Sequence, residues 1–296
     1  NEEVKKGNVE LMKVWTNTEL GETWEEDGET IEDEELMKRR ENYNCEIPYD
    51  VLYLTAGVDT QDDRFEIEVV GWGPEYESWG IKYAVLYGDT GNMQDPVWNN
   101  LDIFLSQTFE KPDGTKLKIA ATCIDSGGHR SNQVYKFCKP RFNRRIFAIK
   151  GSNDSAAAYI QKPTKNNREQ AYLFTIGVDT GKSWLMDRLK LTEPGPGFCH
   201  FPREDKKGYD EKYFKGLTSE KKVMRYKMGR PYFAWELKDK GEHKRNEALD
   251  CRNYATAAIE ITALPLKKPE EKEKKQQTAN TPGKKKGRGR RSGGIS

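Results

Sequence analysis

The chain has 296 residues, a third of them charged, and a formal net charge of only +2. This length predicts either one large domain with appendages or two smaller domains. No stretch approaches the roughly 20 apolar residues that span a bilayer, and no signal-peptide pattern opens the chain, so the sequence excludes a membrane helix and predicts a soluble protein that is not secreted.

The small net charge conceals a strong asymmetry along the chain. Residues 1–50 carry 16 acidic and 6 basic side chains, whereas residues 267–296 carry 11 basic and 3 acidic ones. Both ends have the composition of solvated segments. We therefore expect an acidic linker at 1–50, a folded domain at 51–263 and a disordered basic tail at 264–296. A basic tail on a mildly basic core suits a polyanionic partner.

Apolar residues at every second position predict three antiparallel strands in the first part of the folded domain. These strands are centred on 51–58, 65–69 and 79–87. A helix follows, because Asp95 is a good N-cap and Pro96 suits the first helical position.

The remaining pattern alternates between strands and helices. It predicts strands at 117–124, 145–149 and 171–176, helices at about 130–139, 180–190 and 245–262, and short strands and loops at 198–237. This order predicts an α/β fold in which an antiparallel three-strand meander and parallel strands form one mixed sheet with helices on both faces.

Two aspartates stand where predicted strands end. Asp59 ends the first strand and Asp125 ends the strand at 117–124. A single aspartate at a strand end is more often a turn or capping residue. Two on adjacent strands, however, come within a few ångströms of each other, where like charges repel and raise a pKa unless a cation lies between them.

A third carboxylate comes from the last helix. Helical projection places Asp250 on a stripe with Glu247 beside the apolar face, although such a stripe is usually a solvated surface. Carboxylates from two strand ends and one helix suit Mg²⁺, which takes oxygen ligands and keeps several waters. Two such ions about 4 Å apart activate a water and stabilise a leaving oxygen in phosphodiester hydrolysis.

Several segments resemble the nuclease half of the large terminase subunit of lambda-like tailed phages. The resemblance covers roughly residues 15–262 and includes GVDTQDDRFEIEVVGWGPEYESW, IDSGGH, FAIKG, IGVDTGK, RNEALDCRNYA and the upstream GETWEEDGETIEDEELMKRRENY. It implies an RNase H-like fold and a two-metal endonuclease, using Mg²⁺ or Mn²⁺, that cuts concatemeric double-stranded DNA. Carried over by motif, Asp59, Asp125 and Asp250 are the metal ligands and catalytic residues, and Glu247 shares or replaces one of those roles.

The resemblance also implies the partners and the location. It implies double-stranded DNA, a small terminase subunit, a portal or procapsid, an ATPase domain upstream in the same polypeptide, the host bacterial cytoplasm, and no membrane. Two other functions stay open: another RNase H-like nuclease, such as a resolvase, or a non-catalytic module that binds DNA or docks on a capsid.

The sequence also contains basic and polar residues that could bind phosphate. The run GVDTGKS at 177–183 is one residue short of a phosphate-binding loop, because Ile176 stands where a glycine is required. We expect Asp179 to cap the following helix instead. For DNA contacts we expect four residues, each of which is open to the alternative of an ordinary surface position: His129, Lys150, Arg144 and Arg145.

Overall fold

The fold is built on a mixed β-sheet, seen in a computed structural model that describes residues 31–166, 168–227, 230–238 and 245–267. The strands are β1 (Tyr53–Thr60), β2 (Arg64–Trp72), β3 (Ser78–Tyr87), β4 (Thr108–Glu110), β5 (Lys116–Asp125), β6 (Ile146–Gly151), β7 (Thr164–Lys165), β8 (Tyr172–Ile176), β9 (Cys199–His200), β10 (Glu220–Lys227) and β11 (Arg230–Leu237). The α-helices are α1 (Asp33–Lys38), α2 (Pro96–Leu105), α3 (Ser131–Cys138), α4 (Val178–Leu189), α5 (Glu211–Leu217) and α6 (Glu247–Thr262).

In the described residues the main sheet has the strand order β7-β8-β6-β5-β1-β2-β3-β9, with β4 paired to the first half of β5. Strands β1, β2 and β3 form an antiparallel meander, while β5, β6 and β8 run parallel to β1. The predicted mixed sheet of an antiparallel meander and parallel strands is therefore confirmed. Strands β10 and β11 form a separate two-stranded hairpin.

Helices cover both faces of the sheet, as the alternation within the strands predicts. On β1, Leu54, Ala56 and Val58 face a core that contains side chains of α2 and α3. The intervening residues face α6, and Thr55 Oγ1 donates a hydrogen bond to the carbonyl of Ala255, 2.7 Å away. The first helix on the other face begins as predicted, because the Asp95 side chain accepts a hydrogen bond from the amide of Val97 at 2.9 Å.

Two local expectations were wrong. Helix α4 begins after Gly177, and Asp179 lies inside its first turn without capping it. The region 198–237, expected to hold only short strands and loops, also contains α5 and the eight-residue strands of the β10–β11 hairpin. Helix α5 is too short to show a clear helical period, and its apolar side chains belong to a second core with α4 and α6.

Residues 31–50, which we call the strap, pack against the sheet domain. Leu36 is buried in the second core. Arg39 Nη1 donates to the carbonyl of Leu189 at 2.7 Å, and Lys207 Nζ donates to the carbonyl of Glu46 at 2.7 Å. The second part of the segment expected to be a linker is thus held by both apolar and polar contacts; its first part, 1–30, and most of the expected tail lie outside the described residues.

No helix in the described part of the chain is both long enough and apolar enough to cross a membrane.

Candidate active site

Asp59 and Asp125 lie side by side at one end of the sheet. Strands β1 and β5 are parallel, with Gly57 opposite Cys123 and Val58 opposite Ile124, so the next residue of each strand is an aspartate at the same level. Asp59 is only 5% exposed. The prediction that the two strand ends bring these carboxylates together is confirmed.

Helix α6 adds Asp250 from above the sheet. The helix crosses β1 at Gly57, where the absence of a side chain lets the two backbones touch. Asp250 is in the first turn of α6, at the end of the helix that overlies the aspartates of β1 and β5. Asp250 interacts electrostatically with both Asp59 and Asp125, so the three carboxylates share one site.

The electrostatics of the site disfavour three simultaneous negative charges. Burial, followed by the charge of Asp250, raises the pKa of Asp59 well above its ordinary value. Burial likewise raises the pKa of Asp125 to about 6 and raises that of Asp250. Desolvation and like charges destabilise ionised carboxylates, which is the condition in which a cation between them is most strongly bound.

Each aspartate also accepts a hydrogen bond from a fixed neighbour. Gln61 Nε2 donates to Asp59 Oδ2 at 2.5 Å, and the amide of Gly127 donates to Asp125 Oδ1 at 3.0 Å. Asn246 Nδ2 donates to Asp250 Oδ2 at 2.9 Å. These bonds fix the orientation of the carboxylates, and each uses one of the two carboxylate oxygens.

Lys182 is a member of the site that our sequence analysis missed. Its ammonium nitrogen lies 3.0 Å from Asp250 Oδ1 and 2.8 and 2.9 Å from the two carboxylate oxygens of Glu220. Burial lowers the pKa of Lys182, but Asp250 and Glu220 outweigh that effect and raise it. We had considered Lys182 only as part of the incomplete phosphate loop, and a lysine inside a helical segment gives no sequence signal for a partner 68 residues away in the chain.

The oxygens of the three aspartates do not surround a common position at which a metal ion would fit without movement of side chains. Across the residues that the structure describes, no three histidine, cysteine, aspartate or glutamate side chains form a ready-made metal cluster. The ammonium of Lys182 and the amides of Gln61 and Asn246 lie against the aspartate oxygens instead. A bound ion would displace some of these contacts.

Glu247 is held by arginines. Its Oε1 lies 2.5 Å from Arg64 Nη2 and 3.6 Å from Arg245 Nε. The same two arginines bind Glu66, which also accepts a hydrogen bond from the hydroxyl of Tyr83. Burial raises the pKa of Glu66, but the bonds from Tyr83 and Arg64 outweigh it and lower the pKa. Glu247 therefore lies beside the three aspartates within a second network of opposite charges.

The four residues expected to contact DNA divide between the two ends of the sheet. Lys150, near the end of β6, and His129, four residues after Asp125, are exposed at the end that carries the aspartates. Arg144 binds Asp102 at 2.6 Å. Arg145 immediately precedes β6, and Ile149 of β6 pairs with Asp125. Arg145 is therefore four residues, at about 3.3 Å each, away from the level of that aspartate in the sheet. The structure does not bring the two arginines to the carboxylate site.

Comparison with known proteins agrees with the geometry. The family described as "Terminase large subunit gpA, endonuclease domain" matches residues 1–273. The large terminase subunit of Escherichia phage lambda is 37% identical over 262 residues, which are 87% of this chain and 40% of that protein. The large terminase subunit of Enterobacteria phage P21 is 32% identical over 257 residues, which are 85% of this chain and 39% of that protein.

Solved structures give a weaker likeness. The nuclease domain of the large terminase subunit gp2 of bacterial virus Sf6 is 16% identical, with 77% of this chain and 97% of that chain covered and a TM-score of 0.44. Its K428A mutant with manganese has the same identity and coverage and a TM-score of 0.47. The chain spans about 40% of the length of the curated relatives it matches. On the extent of the family match, the chain belongs to the family of the endonuclease domain of the phage large terminase subunit, gpA.

Proposed function

We propose that this chain is the metal-dependent endonuclease of a phage DNA-packaging terminase, which hydrolyses phosphodiester bonds in concatemeric double-stranded DNA. The observation that carries the proposal is the convergence of Asp59, Asp125 and Asp250 from two strand ends and one helix. Membership of the terminase endonuclease family supports it.

The residues of the site fit Mg²⁺ or Mn²⁺. Carboxylate oxygens are the ligands that these ions prefer, and a divalent cation would offset the repulsion that disfavours charge on all three aspartates. In the part of the chain that the structure describes, Asp250 Oδ1 is buried and has no hydrogen-bond donor of good geometry, although Lys182 lies 3.0 Å away as an ion-pair partner. This oxygen thus already lies against a positive charge in a buried position, so it is suited to ligate a metal cation in place of the ammonium.

The proposed roles of the residues follow from their positions. Asp59, Asp125 and Asp250 would hold the metal ions, and Gln61 keeps the Asp59 carboxylate oriented through its hydrogen bond. Lys150 and His129, exposed at the same end of the sheet, would contact DNA phosphates. Two ions bound there would supply an activated water and stabilise the leaving 3′ oxygen.

Arg144 and Arg145 would contact DNA away from the cleavage site. Site selection would come from partners, because phosphate contacts position a protein on DNA without reading its sequence. By analogy with the longer relatives, we propose that these partners are a small terminase subunit, a portal or procapsid and an upstream ATPase domain, acting in the host cytoplasm. A resolvase-like nuclease and a non-catalytic docking module are the alternatives that the experiment must exclude.

The proposal is tested by nicking of supercoiled plasmid in Mg²⁺ or Mn²⁺. Replacing Asp59, Asp125 or Asp250 with asparagine should lower the nicking rate more than about 100-fold while thermal melting shows an intact fold. Asp113→Asn, in an exposed turn before β5, is the matched control and should nick at the wild-type rate. Nicking that persists in a chelator, or full activity in Asp59→Asn, would disprove a metal-dependent site at these residues.

A further inference from the structure

Glu220 links the two groups that contact Asp250. It is buried at the start of β10 and binds the Lys182 ammonium through both carboxylate oxygens, at 2.8 and 2.9 Å. Its Oε1 also accepts a hydrogen bond from Asn246 Nδ2 at 2.7 Å. Lys182 and Asn246 are the same two residues that lie against the oxygens of Asp250. Glu220 thus fixes both neighbours of Asp250 through its contacts to Lys182 and Asn246.

Three separate elements meet in this network. Lys182 comes from α4, Glu220 from β10, and Asn246 and Asp250 from the start of α6. Lys182 is only 5% exposed, so its charge is almost completely removed from water. A buried ammonium is tolerated only when carboxylates or other acceptors surround it.

The charge balance changes if a divalent cation binds Asp250. The cation would take the carboxylate that Lys182 now shares and would repel the ammonium beside it. Lys182 then needs another buried acceptor, since breaking one side of a buried ion pair is strongly unfavourable. Glu220 already accepts from Lys182 with both oxygens, so the lysine keeps a complete partner when it gives up Asp250.

We propose that Glu220 is a positioning residue that retains the Lys182 ammonium when a metal ion binds Asp250, and so permits metal binding next to a buried lysine. This inference rests on the proposed metal-dependent function. It assigns Glu220 an action through Lys182 and Asn246, distinct from direct ligation of the metal. It also assigns Lys182 the role of a built-in cation that competes with the metal for Asp250.

The test is the affinity of the whole chain for Mn²⁺ without DNA, measured by calorimetry on Glu220→Gln, Lys182→Met and the double variant. Glu220→Gln should bind Mn²⁺ about 10-fold more weakly than wild type, because Lys182 then pairs with Asp250 alone. Lys182→Met should bind at least as tightly as wild type. The double variant should bind Mn²⁺ as tightly as Lys182→Met, because Glu220 affects metal binding only through the lysine.

Two further variants serve as controls for charge and for folding. Glu220→Asp keeps the negative charge and should retain most of the affinity. Glu236→Gln removes a carboxylate that binds Arg225 in the same hairpin and should leave the affinity unchanged. Thermal melting of each variant shows whether the fold is intact.

The outcomes separate this inference from the proposed function. If Glu220→Gln weakens Mn²⁺ binding equally with and without Lys182, Glu220 acts as a ligand or a structural residue and the inference is wrong. Weaker binding in Lys182→Met, or wild-type affinity in Glu220→Gln, also overturns it. Absence of Mn²⁺ binding by the wild-type chain would contradict the proposed function itself.

Discussion

Gly57 of β1 lies directly beneath Cys251 of α6. A Cβ atom at position 57 would be 1.9 Å from the Cys251 carbonyl oxygen and 2.5 Å from the Ala255 amide nitrogen. The helix therefore rests on the strand backbone, and this contact sets the height of α6 above the sheet. Since Asp59 follows Gly57 by two residues and Asp250 precedes Cys251, the same contact sets the spacing of two of the site carboxylates.

Gly57→Ala should strongly destabilise the chain. The clashing atoms belong to a helix backbone, which cannot rotate away as a side chain would, so we expect a loss of about 3 kcal/mol or more in the free energy of unfolding. Urea unfolding measures it. Gly128→Ala is the control, because a Cβ there meets no atom within 4 Å, and it should change stability by less than about 0.5 kcal/mol. Equal stability of the two variants would refute the close contact.

The buried pair Glu68–Arg252 predicts a non-additive effect of mutations. Both residues are 0% exposed, and Glu68 Oε1 accepts from Arg252 Nη1 at 2.8 Å and from the hydroxyl of Tyr213 at 2.9 Å. Burial raises the pKa of Glu68 despite the attraction of Arg252. Arg252→Met leaves an uncompensated carboxylate and should cost about 3–5 kcal/mol in urea unfolding. Combining it with Glu68→Leu should cost less than the sum of the two single changes, whereas simple additivity would show that the charges are not coupled.

Glu247 should matter less to nicking than Asp250. Its carboxylate is bound by Arg64 at 2.5 Å and also lies near a second arginine, Arg245. Two arginines therefore compete with a metal ion for Glu247, whereas in the described part of the chain only Lys182, at 3.0 Å, competes for Asp250. We expect Glu247→Gln to reduce the Mn²⁺-dependent nicking rate by less than about 10-fold, and Asp250→Asn by more than about 100-fold. The opposite order would mean that Glu247 leaves Arg64 to bind the metal.

His200 predicts a pH-dependent attachment of the strap. Its Nδ1 lies 2.5 Å from Glu41 Oε1 in the strap, and its Nε2 lies 3.0 Å from Glu77 Oε1. The imidazole stacks on Trp79 with the ring planes 4° apart. Burial lowers the pKa of His200, but the bonds to Glu41 and Glu77 outweigh it and raise the pKa above 6.5. The protonated ring therefore joins two carboxylates.

A group whose pKa is raised in the folded state stabilises the protein fully at pH values below its pKa in the unfolded state. This stabilisation is lost progressively as the pH rises through its pKa in the folded state. The melting temperature of wild type should exceed that of His200→Gln by more at about pH 6 than at about pH 9, where the imidazole is neutral. His129→Gln, at an exposed histidine, is the control and should show no such change. A difference that is independent of pH would mean that His200 is neutral in the folded protein.

Sequence periodicity was sufficient for the main strands of the sheet and for the positions of Asp59 and Asp125 at two strand ends. The alternation around Phe65 and Ile67 defines which side of β2 is buried, and the acidic residues at the ends of β1 and β5 follow from the same register. These features depend on neighbours within a few positions in the chain or on pairs of adjacent strands. Such local rules are what a single sequence carries.

The residues that contact the aspartates could not be predicted from the sequence. Lys182, Glu220 and Asn246 meet because α4, β10 and α6 pack together, and no local pattern encodes that meeting. The Arg64–Glu247 pair joins residues 183 positions apart for the same reason. Arg144 and Arg145 looked suitable for DNA contacts by charge alone, and only the direction of β6 reveals that they lie at the other end of the sheet.

The strap also determines which contacts of the domain would first bear a pulling force applied to the chain before Ile31. Ile31 is held through its carbonyl by Lys238 of the segment after β11, and Arg39 Nη1 donates to the carbonyl of Leu189 at the end of α4. Tension on the chain before Ile31 would be borne first by these contacts, and thus by α4 and the base of the hairpin, before it reached the main sheet. Lys182 lies on α4 and Glu220 begins the hairpin. Pulling on the strap would therefore act first on the elements that surround Asp250.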